Sequence, residues 1–266
     1  MKRVYPDHSW RPSWKYSYQY DLMEVYGESN GNLDYVYAYQ LRSDDTISLI
    51  KSIAKQHDSI LDVAAAQGNF SLKLAELGYN VTWNDIREDL AEYAEMKRET
   101  GNIIYRPGNA FDLKFDQLFD VVLATEIIEH VAHPDQFLAK LAALVKPGGY
   151  IVISTPLGSY FKNNLPKFSD VEDASLFESK QFGPHSEDHI FLLHMDEIQV
   201  LGKRAGLEVI KMKYNTNFLT GGYTKLSPIL KVLPKGLIFA LESFTQILPQ
   251  AIGKRIHTNF VALLKK

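Results

Sequence analysis

Ile60-Leu61-Asp62-Val63-Ala64-Ala65-Ala66-Gln67-Gly68-Asn69-Phe70 decides the architecture of this 266-residue chain. Its start reads as a buried strand, residues 64–68 as a turn of small residues, and Asn69 onward as the first turn of a helix. Small residues in such a turn let the backbone approach a ligand closely. The helix N-terminus behind it offers unpaired N–H groups to polar ligand atoms. About one helix later a second strand, Asn80-Val81-Thr82-Trp83-Asn84-Asp85, ends in an acid. An acid there is placed to accept both hydroxyls of a ribose. Together these parts describe a nucleoside-cofactor site at the carboxyl edge of a parallel sheet.

Strands and helices alternate outward from this point. Strand one spans about 59–64, and the helix at 69–77 stops at Gly78. Strand two spans 80–85, the next helix 87–99, and strand three 102–106. Strand four is Phe119-Asp120-Val121-Val122-Leu123-Ala124. A helix follows Pro134 with Phe137, Leu138, Leu141, Leu144 and Val145 as its apolar face. Lys146-Pro147-Gly148-Gly149 turns the chain into strand five, Tyr150-Ile151-Val152-Ile153-Ser154-Thr155. A helix at 195–205 ends at Gly206, strand six covers 207–214, and a last strand covers 258–264. This alternation predicts an α/β fold with helices on both faces of a mostly parallel sheet.

Three segments stand outside the alternation. Residues 1–42 hold 8 of the 15 Tyr and 2 of the 3 Trp, which reads as an irregular aromatic cap. Ser43-Asp44-Asp45 resembles a helix N-cap, with Ile47, Ile50 and Ile53 as the apolar face that follows. The cap and first helix thus form one unit, 1–57, and the catalytic domain spans 58–266. Residues 157–193 are too long for a plain connection and suit a lid. The expectation is that this lid and the N-terminal arm close over the cofactor. Residues 217–256 form an apolar insertion broken by Pro228, Pro234 and Pro249, with five Lys/Arg and one acid, Glu242. Such a segment suits a helical cap, a homodimer contact, or a membrane-surface element beside a lipid-linked acceptor.

Composition narrows the classes. Hydrophobic content of 45% and charged content of 23% are ordinary for a globular protein. The net charge of -3 argues against a nucleic-acid partner. There is no cysteine, which excludes disulfides, thiolate metal sites and a cysteine nucleophile. The start, Met1-Lys2-Arg3-Val4-Tyr5-Pro6, lacks the apolar core of a signal peptide. No apolar run reaches the ~20 residues of a transmembrane helix. These features fit a cytoplasmic protein, soluble or peripheral to a membrane.

Residues 62–68, Asp85, Glu126-Ile127-Ile128-Glu129-His130-Val131, Lys146-Pro147-Gly148-Gly149 and Ser154-Thr155-Pro156 occur in an order and spacing that resembles class I S-adenosylmethionine-dependent methyltransferases. The ubiquinone-biosynthesis O-methyltransferases are the nearest general pattern, over roughly 58–215. The resemblance implies a Rossmann-like three-layer sandwich with a seven-stranded sheet whose last strand is antiparallel. It also implies that Asp62, Ala64, Gln67 and Gly68 surround the methionine part of the cofactor and that Asp85 holds the ribose. Ile86, Ala110 and Phe111 would wall the adenine, Asn109 would meet its polar edge, and Thr125 would sit beside the sulfonium. The family carries glycines where this chain has Ala64 and Ala66; alanine keeps the backbone provided φ stays negative. A nicotinamide dehydrogenase is the competing reading, but its fingerprint needs three spaced glycines and this turn has only Gly68.

Glu126, Glu129 and His130 fall at i, i+3 and i+4, one face if the segment is helical. Crowded carboxylates and an imidazole need a proton or a cation to offset their charge, and a divalent ion such as magnesium accepts this ligand set. A similar Glu-x-x-Glu-His occurs in the ubiquinone enzymes and in small-RNA 2′-O-methyltransferases. In the RNA enzymes a later His in an Asp-His-x-Phe context completes a metal site. Asp188-His189-Ile190-Phe191 matches that context here, so the resemblance makes His189 the fourth ligand. The same residues also suit metal-free chemistry, with His130 or His189 as general base and Glu126 beside them. His185 and His194 suit loop positions without a role. The expected activity is O-methylation of a small-molecule or glycan hydroxyl. An RNA 2′-O-methyltransferase and a noncatalytic binder of the same cofactor are the alternatives.

Overall fold

The computed structural model describes residues 1–29, 31–181, 189–222 and 226–266. Its frame is a seven-stranded sheet of order β3-β2-β1-β4-β5-β7-β6. The chain first lays down two helices, α1 (Pro12–Glu24) and α2 (Leu33–Ile53). β1 (Ser59–Val63), α3 (Asn69–Glu76), β2 (Asn80–Asn84), α4 (Leu90–Lys97) and β3 (Asn102–Tyr105) build one half of the sheet. β4 (Phe119–Thr125), α5 (Pro134–Leu144) and β5 (Val145–Pro156) then start the other half on the far side of β1. α6 (Met195–Arg204) leads into β6 (Glu208–Asn217). Three short helices, α7 (Ser227–Leu230), α8 (Lys235–Gln246) and α9 (Gln250–Ile256), precede β7 (His257–Lys265).

β1, β4 and β5 pair in parallel, whereas β7 is antiparallel to both β5 and β6. This is the Rossmann-like arrangement with an antiparallel last strand. β1 is buried at all five positions, as its continuous apolar run requires of a strand covered on both faces. One helical layer packs Ile47, Leu49, Ile50, Phe70 and Leu74 against Ile60, Val81, Val121, Leu123, Val152 and Val261. The opposite layer packs Phe137, Leu138, Leu141, Ile198 and Leu201 against Leu61, Val122, Ile151, Ile153 and Phe260. Chain order reverses between β1 and β4, so a crevice opens at their carboxyl ends.

The N-terminal region departs from the expected irregular cap. Ser43 is not a helix start: α2 begins ten residues earlier, and buried Ser43 accepts a hydrogen bond from Lys73 Nζ at 3.1 Å. The reason is that Val36, Tyr39, Ile47 and Ile50 form one long buried face that outweighs the local capping signal. α2 belongs to the helical layer of the sandwich, so no structural boundary falls at 57. The aromatic residues of α1 and of the segment before it pack on α4: Trp10 meets Trp14, Tyr18 and Tyr93 edge-on, with centroids 6.1, 5.7 and 5.6 Å apart. Residues 157–193 contain two 3-10 turns, Phe168–Asp170 and Ala174–Lys180. Of the sequence candidates there, His185 and Asp188 lie outside the described residues. His194 forms a capping box with Glu197 at the start of α6.

Candidate functional site

The turn after β1 is held in a backbone that its residues resist. Ala64 has φ 56°, Ala66 φ 49° and Gly68 φ 78°. The alanines therefore do not keep negative φ as expected; they occupy the left-handed region, at a cost of about 1–2 kcal/mol each for an L-residue. The turn is braced from several sides. Asp85 Oδ2 accepts the Ala66 N–H at 2.8 Å, Trp83 Nε1 donates to Ala66 O at 3.1 Å, and Ala65 N–H donates to Asn84 O at 2.9 Å. Gly68 is required for space as well as for φ. A Cβ there would stand 3.0 Å from Ala94 Cβ and 3.3 Å from Trp83 Cδ1.

Ala64, Ala66 and Gln67 line the cavity at the sheet edge, whereas Asp62 and Gly68 stand behind it. Asp62 is turned inward: its Oδ2 accepts from Ser71 Oγ at 2.6 Å and its Oδ1 has no partner. Burial pushes its pKa up to about 7. Asp62 thus ties β1 to α3. Asp85 does reach the cavity. Arg87 presently covers its carboxylate, with Nε 3.0 Å from Oδ1 and Nη2 3.1 Å from Oδ2. The Arg87 side chain is half exposed, whereas the Asp85 carboxylate beneath it is buried.

Beyond Asp85, Ile86, Asn109, Ala110 and Phe111 line the same cavity. Asn84 holds this wall by donating to Arg106 O at 2.7 Å and Gly108 O at 2.9 Å. Ile86 is 52% exposed on this wall. Phe111 packs edge-on against Phe137 and carries Lys140 over its other side, 5.4 Å from the centroid. Asn109 spends its oxygen on the Phe111 N–H and its amide on Asp112.

The opposite wall comes from the N-terminal helices, the arm expected to close over the cofactor, through residues that the sequence analysis did not single out. Tyr35, Ala38, Tyr39 and Arg42 of α2 form one stripe on the cavity, and Glu24 arrives from α1. Glu24 accepts from Tyr35 Oη at 2.7 Å and from Gln67 Nε2 and Asn69 Nδ2 at 2.8 Å each. Burial raises its pKa. Arg42 lies 3.2 Å from Glu126 Oε2. Burial opposes its charge, yet Glu126, Tyr35 and Glu24 more than restore it. The spacing of the stripe was visible in the sequence, but only to a reading that carried the helix back to Leu33.

Glu126 does not share a helical face with Glu129 and His130. It has φ 52°, and only Ile128–His130 form a short 3-10 turn. Its carboxylate turns toward the sheet and accepts from Ser154 Oγ at 2.9 Å and Asn259 Nδ2 at 3.0 Å. Glu129, His130 and His189 do converge: one ligand atom from each lies within 4.8 Å of the others. The two imidazole rings stand edge to face with centroids 4.9 Å apart. Glu129 is buried; Thr155 Oγ1 donates to its Oε2 at 3.0 Å, and its Oε1 has no partner. Burial, and then the charge of Glu126, hold its pKa well above the carboxylate range. An unsatisfied buried carboxylate facing two imidazoles is a donor set that fits a divalent cation. The backbone explains why His189 arrives there, since Ile190 N–H donates to Glu129 O at 2.8 Å.

These walls enclose a cavity of about 1140 Å³, which Thr125, His130, Lys180, Gln181 and His189 also line. That volume accommodates a nucleoside cofactor with an acceptor beside it. A family profile described as a methyltransferase domain matches residues 35–212. The ubiquinone biosynthesis O-methyltransferase of Rickettsia akari is 38% identical over 98 residues, covering 36% of this chain and 39% of that protein. The enzyme of the same name from Caulobacter vibrioides is 41% identical over 101 residues, with 36% and 40% covered. The chain therefore matches well under half the length of these relatives. Magnesium protoporphyrin IX methyltransferase of Synechocystis PCC 6803 shares the fold, with TM-score 0.56, 12% identity, and 94% of this chain and 99% of that one covered. Phosphoethanolamine N-methyltransferase 2 of Haemonchus contortus does so with TM-score 0.54, 16% identity, and 92% and 59% covered. Sheet order, cofactor turn and family match agree, and the chain belongs to the class I S-adenosylmethionine-dependent methyltransferases.

Proposed function

We propose that this enzyme methylates a hydroxyl oxygen on a small-molecule or glycan acceptor. The observation that carries this reading is the convergence of Glu129, His130 and His189 on the wall shared with Thr125 and the 64–67 turn. Bound S-adenosylmethionine supplies an electrophilic methyl group on sulfur. Asp85 would hold its ribose, Ile86 and Phe111 would flank its base, and Arg42 with Gln67 would meet its charged amino-acid end. A hydroxyl is a poor nucleophile until its proton leaves. His130 or His189 would take that proton as the new C–O bond forms and the C–S bond breaks. Glu129, His130 and His189 are also the residues that would hold a divalent cation, which would lower the hydroxyl pKa. The walls contribute alignment and exclude water, with Lys180 and Gln181 of the 157–193 segment closing over the acceptor.

An RNA acceptor would use the same three residues, but the net charge of -3 gives little support for holding a polyanion. The test is methyl transfer to panels of saccharides, phenols and short RNAs, with and without chelator. His189→Ala should lower turnover about 10²–10⁴-fold while S-adenosylhomocysteine binds as before. Turnover unchanged in that variant would refute the assignment. Full activity in chelator would leave the imidazole base and remove the cation.

A further inference from the structure

The insertion between β6 and β7 has two different faces. The inner side of α8 sets Ile238 and Phe239 against Tyr37, Leu230 and Leu233, and buried Glu242 accepts from Thr220. The outer side is also apolar. Leu237, Ala240, Leu241 and Phe244 recur at three- and four-residue spacing, and Ile247 continues the stripe. Leu237, Phe244 and Ile247 are 47%, 57% and 78% exposed. Ile229, Val232 and Ile252, on the elements either side of α8, are exposed at 51%, 80% and 49%. A single exposed leucine needs no explanation, but six large apolar side chains exposed within residues 229–252 do.

Charge selects the occupant. Lys231, Lys254 and Arg255 are exposed on the same segment, whereas Lys235 lies over the inner rings of Tyr37 and Phe239, 6.0 and 5.3 Å from their centroids; the one carboxylate among the described residues 226–256, Glu242, is buried. A second copy of the chain docked symmetrically here would set these cations against their own counterparts. A bilayer carrying anionic headgroups meets both the apolar stripe and the cationic rim. No helix among the described residues is long and apolar enough to cross a membrane, so the segment would lie in the interface.

We propose that the outer face of α8, with the turns on either side of it, seats the enzyme on an anionic lipid surface. The insertion is fixed to the cavity rim. Asn217 Nδ2 donates to Thr245 Oγ1 at 2.9 Å, and Thr216 and Gly221 beside it line the cavity. Tyr37 touches Phe239 from the same helix that puts Tyr35, Tyr39 and Arg42 on the cavity wall. The face therefore holds the cavity close to the lipid. Its consequence for substrate rests on the hydroxyl-methylation reading: the acceptor would be lipid-linked.

The test is flotation with vesicles of pure phosphatidylcholine and with vesicles containing about 30 mol% phosphatidylglycerol. The enzyme should bind the anionic vesicles at least about tenfold more tightly, and less so at high salt. A Leu237→Ser/Phe244→Ser double variant should lose about tenfold or more of that binding while keeping its circular dichroism and its affinity for S-adenosylhomocysteine. Lys231→Glu/Lys254→Glu should abolish the preference for anionic vesicles. Absence of flotation, or unchanged flotation of the double variant, would overturn the proposal. So would a wild-type dimer that the double variant converts to monomer without any vesicle binding. No acceptor is present in the assay, so its outcome is independent of whether the enzyme methylates hydroxyls.

Discussion

Ala64, Ala66 and Glu126 carry side chains in a backbone region that suits glycine, and all three line the cavity. Strain of this kind persists only where the surroundings over-determine it: Asp85 and Asn84 accept the Ala66 and Ala65 N–H groups and Trp83 donates to Ala66 O, while Ser154, Asn259 and Arg42 hold the Glu126 carboxylate. Replacing Ala66 by glycine should relieve about 1–2 kcal/mol of strain and lose about 0.5–1 kcal/mol through greater freedom of the unfolded chain. Ala66→Gly should therefore raise stability by about 0.5 kcal/mol in urea denaturation. A clear loss would show that the methyl group packs favourably enough to offset its φ. Asp85 has two tasks, bracing Ala66 N–H and receiving the ribose. Asp85→Asn keeps one acceptor oxygen for the brace and loses the charge. It should weaken S-adenosylhomocysteine binding by about 1.5–3 kcal/mol, and calorimetry showing equal affinity would contradict the ribose assignment.

At the scale of elements, α1 is fastened by a buried polar cluster. Lys97 Nζ donates to Asp21 Oδ2 at 2.8 Å and to Asn69 Oδ1 at 2.7 Å, and Tyr93 Oη donates to the same Asp21 oxygen at 2.7 Å. Lys97 and Asp21 are both fully buried. Burial lowers the Lys97 pKa, and Asp21 works against that. The cluster joins α1, α3 and α4 directly behind the cofactor turn, because Asn69 also reaches Glu24. In this structure the arm is tied down as a wall of the cavity. Lys97→Met would strand a buried carboxylate and should cost about 3–5 kcal/mol of stability. A loss below about 1 kcal/mol would mean that Asp21 takes a proton or water at little cost.

For the whole molecule, several buried carboxyls make stability depend on pH in an unusual direction. Burial raises Asp62 and Glu242 to about 7, and Glu24 and Glu129 are raised as well. Each binds its proton more tightly folded than unfolded. Their contribution is complete below the ordinary carboxylate range and is lost as pH rises through each raised folded-state value, about 7 for Asp62 and Glu242. His257, lowered by burial, works in the opposite sense below its ordinary value. Unfolding free energy should fall by about 2 kcal/mol or more between pH 5 and pH 8. Asp62→Asn with Glu242→Gln should flatten that fall, and a parallel profile for this variant would sink the account. A divalent cation that binds Glu129 should restore part of the stability at the higher pH, because it replaces the proton.

The sequence by itself determined the sheet, the cofactor turn and the acid after β2, because buried strands and small-residue turns leave their pattern in consecutive residues. β1 and β4 read as continuous apolar runs, and Asp85 closes β2 at a fixed distance from Ala64. Lys97 was also legible in principle, since Leu90, Tyr93, Ala94 and Lys97 share one helical stripe and a charge there needs a buried partner. Other features exist only in three dimensions. Asp62 turns away from the cavity because Ser71, nine residues on, competes for its carboxylate. Glu126 leaves the expected ligand face because a positive φ aims it at Ser154, Asn259 and Arg42, residues from three distant elements. Local spacing cannot encode those choices. They are made by hydrogen-bond competition and burial between segments that only the folded sheet brings together.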